Sequence, residues 1–170
     1  MKELLITGAW RCGEQQVQAL EQMGYAVTFW PDERQAVNMD TRRFEAVICG
    51  GLFLTTPIER FPALKCIQVT SAGLDRVPLD YCKAHGIIVY NAGGVYSAPM
   101  AEFVLGGILQ LYKESKFFAE NQAAHRWEKH RGLRELSGKT ACIICTGSVG
   151  SAIARRLRAF DVQTVGINRS

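Results

Sequence analysis

Apolar residues in the first ninety positions fall into short runs separated by polar segments of helical periodicity. Five runs predict β-strands, at residues 4–6, 26–29, 46–49, 66–69 and 87–90. These runs are apolar on both faces, which is typical of a parallel sheet covered by helices on both sides. Helices are predicted at residues 13–23, 40–44, 56–59 and 78–85. The pattern therefore predicts an α/β fold with a flavodoxin-like, parallel, five-stranded sheet.

A longer helical pattern follows from Ser97, which is a candidate N-cap. The helix is apolar all round as far as Leu111, so we expect it to be buried. Gly106 and Gly107 each cost a helix about 1 kcal/mol relative to alanine, so we expect close packing at this pair. Residues 117–136 are polar and basic, and they predict a second helix.

The pattern changes again at Lys139, where a strand, a tight turn, a helix and a second strand follow one another. We place these elements at residues 140–144, 146–150, 151–160 and 162–167. About thirty residues rarely bury enough surface to fold alone. This segment therefore predicts an incomplete Rossmann β-α-β unit.

The composition of the 170 residues, with 48% hydrophobic and 21% charged residues, is that of an average globular protein. It excludes a disordered tail, a collagen-like chain and a repeat array. No run approaches the roughly 18 apolar residues of a membrane span, and the first residues lack a signal-peptide pattern. We therefore expect a cytoplasmic protein with no membrane partner.

The net charge of +4 comes from an excess of basic residues in the segment 113–170. No nucleic-acid motif accompanies this excess, so we expect no nucleic-acid partner. The six cysteines are scattered, and only Cys142 and Cys145 have C-x-x-C spacing. Residues i and i+3 of a strand point to opposite faces, so we expect no metal site at this pair.

A glycine-containing turn links the predicted strand at 140–144 to the helix after it. A dinucleotide-binding turn has glycines here so that the backbone approaches a pyrophosphate at the helix N-terminus. Cys145 stands at the position of the first glycine of that motif. The alternative is a tight turn that binds nothing. The candidate cofactor-binding residues of the turn are Thr146, Gly147, Ser148, Val149 and Gly150.

The segment after the last strand reads Asn168, Arg169 and Ser170. A dinucleotide-binding fold often has an acidic residue near this point, which binds the ribose hydroxyls of NAD. An arginine beside a hydroxyl instead suits a 2′-phosphate, which favours NADP over NAD. The alternative is an ordinary surface arginine.

A second loop of small residues, at 70–73, follows the fourth predicted strand. Successive N–H groups at the carboxyl end of a parallel strand are able to bind a small anion. A purely structural turn is the alternative. The three histidines have no carboxylates or cysteines close to them in sequence, and no catalytic triad or Walker loop is present.

Several motifs in one order resemble the D-isomer-specific 2-hydroxyacid dehydrogenases. They are VTSAGLD at 69–75, GIIVYNA at 86–92, GVYSAPMAE at 94–102, LSGK at 136–139, TGSVG at 146–150 and RRLRAF at 155–160. The resemblance covers most of the chain. It implies a flavodoxin-like substrate domain at 1–97, interdomain helices at 98–136, and the first part of an NAD(P)-binding Rossmann domain at 137–170.

The resemblance also implies the roles of individual residues. The substrate, a small 2-hydroxy or 2-oxo acid, is bound at Ser71, Ala72, Gly73 and Tyr96, with the N–H groups of Ala72 and Gly73 on its carboxylate. Met100 belongs to the cofactor site. In the family, hydride passes between the nicotinamide and C2 of the substrate, and subunits form homodimers.

Two departures from the family pattern bear on the cofactor site. Cys145 replaces the first glycine, and Asp161 replaces a glycine at what we expect to be a left-handed helix end.

The Arg, Glu and His that catalyse the reaction in the family have no counterpart up to Ser170. We therefore expect a truncated dehydrogenase that is inactive alone. The alternative is a non-catalytic, self-associating or ligand-binding module. A third alternative is a flavin- or phosphate-binding flavodoxin-like domain, but the sequence lacks a convincing phosphate loop after its first strand.

Overall fold

A computed structural model describes residues 1–169 and divides the chain into two compact units, with the boundary between Gly93 and Gly94. The first unit contains a parallel sheet of five strands, in the order β2-β1-β3-β4-β5. The strands are β1 (Lys2–Thr7), β2 (Tyr25–Trp30), β3 (Ala46–Cys49), β4 (Cys66–Val69) and β5 (Ile88–Tyr90). This is the flavodoxin-like strand order, so the predicted fold class is confirmed.

Two α-helices and two 3-10 helices connect these strands. They are α1 (Glu14–Gln22), α2 (Leu79–Ala84) and the 3-10 helices Leu52–Leu54 and Ile58–Arg60. The helix predicted at 40–44 is wrong, because the side chains there bond to the backbone in place of a helical ladder. Asp40 Oδ1 accepts the N–H of Arg42 at 3.1 Å, and Thr41 Oγ1 donates to the carbonyl of Arg60.

The core of the first unit lies on one face of the sheet. Leu5, Val47 and Ile67 occupy the central strands, and Phe44 and Leu52 cover them, all at 0–1% exposure. The opposite face is progressively more open towards the edge: Ile6 on β1 is fully buried, whereas Tyr90 on β5 is 55% exposed. Apolar burial on one face therefore holds this sheet together.

The second unit begins with helices and ends with a two-stranded parallel sheet. Its elements are α3 (Ser97–Tyr112), α4 (Ser115–Ala123), β6 (Thr140–Ile144), α5 (Ser148–Arg158) and β7 (Gln163–Ile167). Leu136, Leu157 and Val162 form its buried cluster, against which α3 and the inner face of β6 pack. The strand-helix-strand prediction is confirmed, with the helix beginning three residues earlier than expected.

The prediction that α3 is buried is wrong. Ala101 is its only buried residue, and Phe103 and Leu111 are 83% and 71% exposed. A methyl group added at Gly106 or Gly107 would meet no atom within 4 Å, so the expected close packing is absent within residues 1–169. The apolar content of α3 therefore reflects an uncovered face as well as a packed one.

The ends of the helices in this unit also differ from expectation. Tyr96 occupies the N-cap position, and the buried Oγ of Ser97 has no hydrogen-bond partner within residues 1–169, so Ser97 does not cap the helix. The helix predicted over 117–136 ends at Ala123. His125 then adopts a left-handed conformation (φ 50°), and Arg126 donates its N–H to the carbonyl of Asn121, which terminates the helical ladder.

None of the helices in residues 1–169 is both long and apolar enough to span a membrane.

Candidate functional site

The candidate substrate loop, residues 71–73, follows β4 at the carboxyl edge of the five-stranded sheet. Side chains hold its carbonyl groups: Ser71 Oγ donates to the carbonyl of Gly73 at 2.9 Å, and Asn91 Nδ2 donates to that of Ala72 at 2.8 Å. The Ala92 N–H donates to the Ser71 carbonyl at 2.9 Å. The loop is therefore fixed on both sides, at β4 and after β5.

The N–H groups of Ala72 and Gly73 have no acceptor within residues 1–169, and both residues are exposed. The carbonyl groups of this loop already accept hydrogen bonds, whereas the two N–H groups are open. The loop therefore offers two oriented donors at the position where open α/β sheets bind ligands. Such a pair is suited to a carboxylate, which accepts two hydrogen bonds side by side. The assignment of this loop to the substrate stays a prediction.

Two side chains at this loop make hydrogen bonds that we did not predict from the sequence. Ser71 was predicted to contact substrate, but its hydroxyl donates within the loop. Asn91 was not predicted as a site residue, although it links the loop to the segment after β5, and its Oδ1 also accepts the N–H of Gly93 at 3.1 Å. Its place in the motif GIIVYNA was the available signal.

Tyr96 and Met100 lie at the beginning of α3, in the second unit. Both side chains are accessible, at 45% and 50% exposure. The turn before them is made by Gly94 in a left-handed conformation (φ 86°), and the Ser97 N–H donates to the Gly94 carbonyl at 3.1 Å. Their assignment to the substrate and cofactor stays a prediction.

The candidate phosphate turn lies between β6 and α5. Gly147 is the N-cap of α5, and a methyl group added there would meet no atom within 4 Å, which leaves space for a ligand. Gly150 is buried, and a methyl group there would collide with the carbonyl of Cys145. Ser151 Oγ closes the turn by donating to the Thr146 carbonyl at 3.0 Å. Open space at the first glycine and close helix–strand packing at the second are what a dinucleotide turn requires, and the assignment of this turn to the cofactor stays a prediction.

The donors available at this turn are the first N–H groups of α5, including those of Ser148 and Val149, which have no intrahelical acceptor. They carry the positive end of the helix dipole, which suits a pyrophosphate. The residues present therefore fit a dinucleotide cofactor.

The two departures from the family pattern both take left-handed backbone conformations. Cys145 has φ 73° and Asp161 has φ 56°, which confirms the predicted conformation at Asp161. An L-residue pays a steric penalty there that glycine does not. The turn thus keeps its shape without the first glycine of the motif.

The segment predicted to select the cofactor follows β7. Asn168 and Arg169 are exposed, and Arg169 takes part in no salt bridge within residues 1–169. Ser170 lies outside the described residues. The preference for NADP over NAD stays a prediction.

The described histidines show no acid–base pairing. His85 Nδ1 lies 2.9 Å from the Tyr81 carbonyl, and its ring stacks on Tyr81 at 3.8 Å. His130 packs on Phe117 at 4.5 Å. None of the salt bridges in this part of the chain includes a histidine. Residues 1–169 also hold no cluster of three potential metal ligands.

A family model described as D-isomer specific 2-hydroxyacid dehydrogenase, catalytic domain, matches residues 5–164. The chain belongs to this family.

Among curated relatives, a glyoxylate reductase of Thermofilum pendens is 31% identical over 144 residues, which are 79% of this chain and 42% of that protein. A glycerate dehydrogenase of Hyphomicrobium methylovorum is 36% identical over 110 residues, which are 62% of this chain and 34% of that protein. The chain thus spans well under half the length of these two relatives.

Solved structures share the fold. D-lactate dehydrogenase from Aquifex aeolicus, complexed with NAD and lactic acid, superimposes with a TM-score of 0.78 at 24% identity, covering 96% of this chain and 50% of that one. An NADPH-dependent glyoxylate/hydroxypyruvate reductase from Sinorhizobium meliloti, in complex with citrate, also gives a TM-score of 0.78 at 24% identity, covering 100% and 55%.

Proposed function

We propose that this chain is the substrate-binding part, with the beginning of the cofactor-binding part, of an NAD(P)-dependent D-2-hydroxyacid dehydrogenase. Residues 1–97 form the substrate domain, residues 98–136 the interdomain helices, and residues 137–170 the first part of the nicotinamide-binding domain. One observation carries the proposal: the open N–H groups of Ala72 and Gly73 at the carboxyl edge of the sheet.

These N–H groups bind the carboxylate of a small 2-hydroxy or 2-oxo acid. Hydrogen bonds from backbone N–H to an ionised carboxylate are shorter and stronger than neutral ones. Asn91 positions the loop by holding the Ala72 carbonyl away from the ligand. The assignment of Tyr96 to the substrate rests on the family resemblance. Two relatives, a glyoxylate reductase and a glycerate dehydrogenase, support an acid of this size.

The turn at 146–150 binds the pyrophosphate of the cofactor, with Met100 on the nicotinamide side. When bound, the nicotinamide supplies or takes up the hydride at C2 of the acid. Arg169, with Asn168 and Ser170, binds the 2′-phosphate, which makes NADP the preferred cofactor over NAD. Relatives of both kinds occur, since one structure contains NAD and another enzyme is NADPH-dependent.

The proton transfer that accompanies hydride transfer requires a positioned acid–base group. No histidine in residues 1–169 is paired with a carboxylate. We therefore expect the 170 residues alone to bind ligands without turning them over.

The test is a titration of the ¹⁵N-labelled chain with glycolate, a small 2-hydroxy acid, followed by amide resonances. We expect saturable shifts at Ala72 and Gly73, weakened in Asn91→Ala and unchanged in the control Asn38→Ala, whose side chain is exposed and makes no hydrogen bond in the described residues. Shifts confined to other residues would refute the substrate site.

Cofactor binding and turnover are measured on the same chain. NADPH is expected to shift the amides of Gly147 and Ser148, and glyoxylate-dependent oxidation of NADPH is expected to be undetectable. Measurable oxidation by the pure chain would overturn the proposal that it is inactive alone.

The second candidate function is self-association, as in a homodimer. It is favoured by exposed apolar side chains on α3 and on the outer face of the two-stranded sheet: Phe103, Leu111, Ile144, Val165 and Ile167 are 52–83% exposed. Exposed apolar surface of this kind is typical of an interface. Light scattering on wild type and Phe103→Glu tests it: a dimer that the substitution dissociates supports the proposal, and a monomer at all concentrations refutes it.

A further inference from the structure

A carboxylate of the chain itself lies at the carboxyl edge of the five-stranded sheet. Glu33, three residues after β2, accepts three hydrogen bonds there. Its Oε2 accepts the hydroxyl of Thr7 at 2.7 Å and the N–H of Gly50 at 3.0 Å, and its Oε1 accepts the N–H of Gly51 at 2.5 Å. These donors come from the ends of β1 and β3, so one side chain joins three strands.

The donors form a built carboxylate site. Thr7 is 0% exposed, and Gly50 and Gly51 are buried. No salt bridge within residues 1–169 includes Glu33, so its carboxylate is bound by uncharged N–H and hydroxyl groups. The Glu33 backbone is fixed as well, because Thr55 Oγ1 donates to its carbonyl at 2.7 Å. Successive N–H groups that converge on one anion, with a hydroxyl opposite, are a recurring way to bind anions in proteins.

This site adjoins the candidate substrate loop. Cys49, which precedes Gly50, pairs with Val69 in the sheet, and the Thr70 N–H donates to the Cys49 carbonyl at 2.8 Å. A Cβ atom built on Gly50 would lie 2.9 Å from Glu33 Oε1 and 3.2 Å from Thr70 Oγ1. Glu33 therefore places a negative charge directly beside the loop that begins at Ser71.

We propose that the Gly50 and Gly51 N–H groups and the Thr7 hydroxyl form a second anion subsite of the substrate pocket, which Glu33 fills as an internal ligand. Glu33 is thereby a specificity-determining residue. It excludes 2-hydroxy acids that carry a second carboxylate or a phosphate, because it occupies the donors and repels a second anion in a partly desolvated site. The selection of substrates rests on the function proposed above, whereas the subsite itself does not.

The test compares the ¹⁵N-labelled chain with Glu33→Ala and with a matched control, Glu59→Ala, an exposed glutamate without an ion pair in the described residues. Each protein is titrated with sodium acetate, against sodium chloride at equal ionic strength. In Glu33→Ala, acetate is expected to shift the Gly50 and Gly51 amides saturably, with a dissociation constant at least about tenfold lower than in wild type or the control. Equal responses in all three proteins, or none in Glu33→Ala, would overturn the subsite.

A second variant covers the case in which Glu33→Ala does not fold. Glu33→Gln retains the size of the side chain but loses its charge, and it is expected to move the amide proton resonances of Gly50 and Gly51 upfield, because charge-assisted hydrogen bonds are the stronger ones. Unchanged resonances in Glu33→Gln would contradict an ionised internal ligand.

Selectivity is read at different amides, so the two proposals fail separately. Wild type is expected to bind glycolate at Ala72 and Gly73 at least about tenfold more tightly than tartronate, a 2-hydroxy dicarboxylate, and Glu33→Ala to lose this preference. No response at Ala72 and Gly73 to either acid would refute the substrate loop but not the subsite. Equal affinities of wild type for the two acids would refute the selection by Glu33.

Discussion

The two units of this chain both contain parallel strands, but they bury very different amounts of apolar surface. In the first unit, fourteen buried hydrophobic residues form one cluster against a five-stranded sheet. In the second, three buried residues support a two-stranded sheet, and one face of that sheet carries the exposed residues Cys142, Ile144, Val165 and Ile167. Parallel sheets are stable when both faces are covered. The candidate substrate loop therefore lies on a unit with a large core, whereas the candidate cofactor turn lies on a unit with a small one.

The largest expected effect is a difference in the free energy of unfolding between a substitution in the core of the first unit and one on an exposed strand position of the second. Phe44→Ala removes a side chain that is 0% exposed and should destabilise the chain by about 3–5 kcal/mol. Ile144→Ala changes a side chain that is 77% exposed and should cost less than about 0.5 kcal/mol. Urea unfolding of both variants measures the difference. Similar losses would mean that the outer face of β6 is covered in solution.

Thiol reactivity should follow the same division. Burial raises the pKa of the Cys49 thiol to about 12, with the Glu33 carboxylate contributing, whereas Cys142 and Cys145 are exposed. At pH 8 we expect Cys142 and Cys145 to react with iodoacetamide at least about 100-fold faster than Cys49, because the buried thiol is neutral and requires local unfolding. Mass mapping of the alkylated sites measures the rates. Fast labelling of Cys49 would show that the first unit opens readily.

The same burial makes the first unit sensitive to alkaline pH. The unfolded chain loses the Cys49 proton near the ordinary thiol pKa of 9.0, while the folded chain retains it to about 12. The contribution of the Cys49 thiol to the free energy of unfolding is therefore fully present below pH 9 and is lost as the pH rises from 9 towards 12. Cys49→Ala should remove this part of the loss.

A smaller effect concerns the strained turn in the second unit. Cys145→Gly replaces an L-residue at φ 73° and should stabilise this unit by about 1 kcal/mol. The matched control is Cys142→Gly within strand β6, which should destabilise it. Thermal unfolding monitored by amide resonances of β6 and α5 tests both. A loss of stability in Cys145→Gly would contradict the strain.

The smallest effect is electrostatic and belongs to the first unit. The Arg42 guanidinium and N–H, which hydrogen-bond the Asp40 carboxylate, lower the pKa of that carboxyl from 3.8 to about 2. The unfolded chain binds this proton at a higher pH than the folded chain, so stability falls as the pH drops from about 4 to 2. Asp40→Asn and Arg42→Gln should each flatten this dependence slightly, since the pair is exposed. Unfolding midpoints between pH 2 and 5 measure the slope.

The five strands of the first unit were predictable because they are short apolar runs separated by clear turns. The segments at 40–44 and 124–136 were not, since polar side chains and left-handed residues such as His125 compete with the helical ladder there. The exposure of α3 was not predicted, because the apolar sequence of a helix does not show how much of its surface packs within the same chain.

The candidate functional site was predictable only at the positions where backbone groups would contact a ligand. The loop at 71–73 and the glycines at 147 and 150 were identified from small residues after strands. Glu33 and Asn91 were not, because each acts through contacts with residues 17–26 positions away in sequence. Hydrogen bonds of that range depend on the folded sheet.

The proposal that main-chain N–H groups of Ala72 and Gly73 bind the substrate has a consequence for mutational screens. Ala72 is already an alanine, and Gly73→Ala keeps the N–H donor, so a conventional alanine scan would not test these donors and would point instead to Asn91, which holds the Ala72 carbonyl. Removing the donors themselves takes proline substitution or amide-to-ester exchange in a semisynthetic protein. Recognition by the proposed donors would depend on main-chain groups, so substitutions of side chains would not detect it.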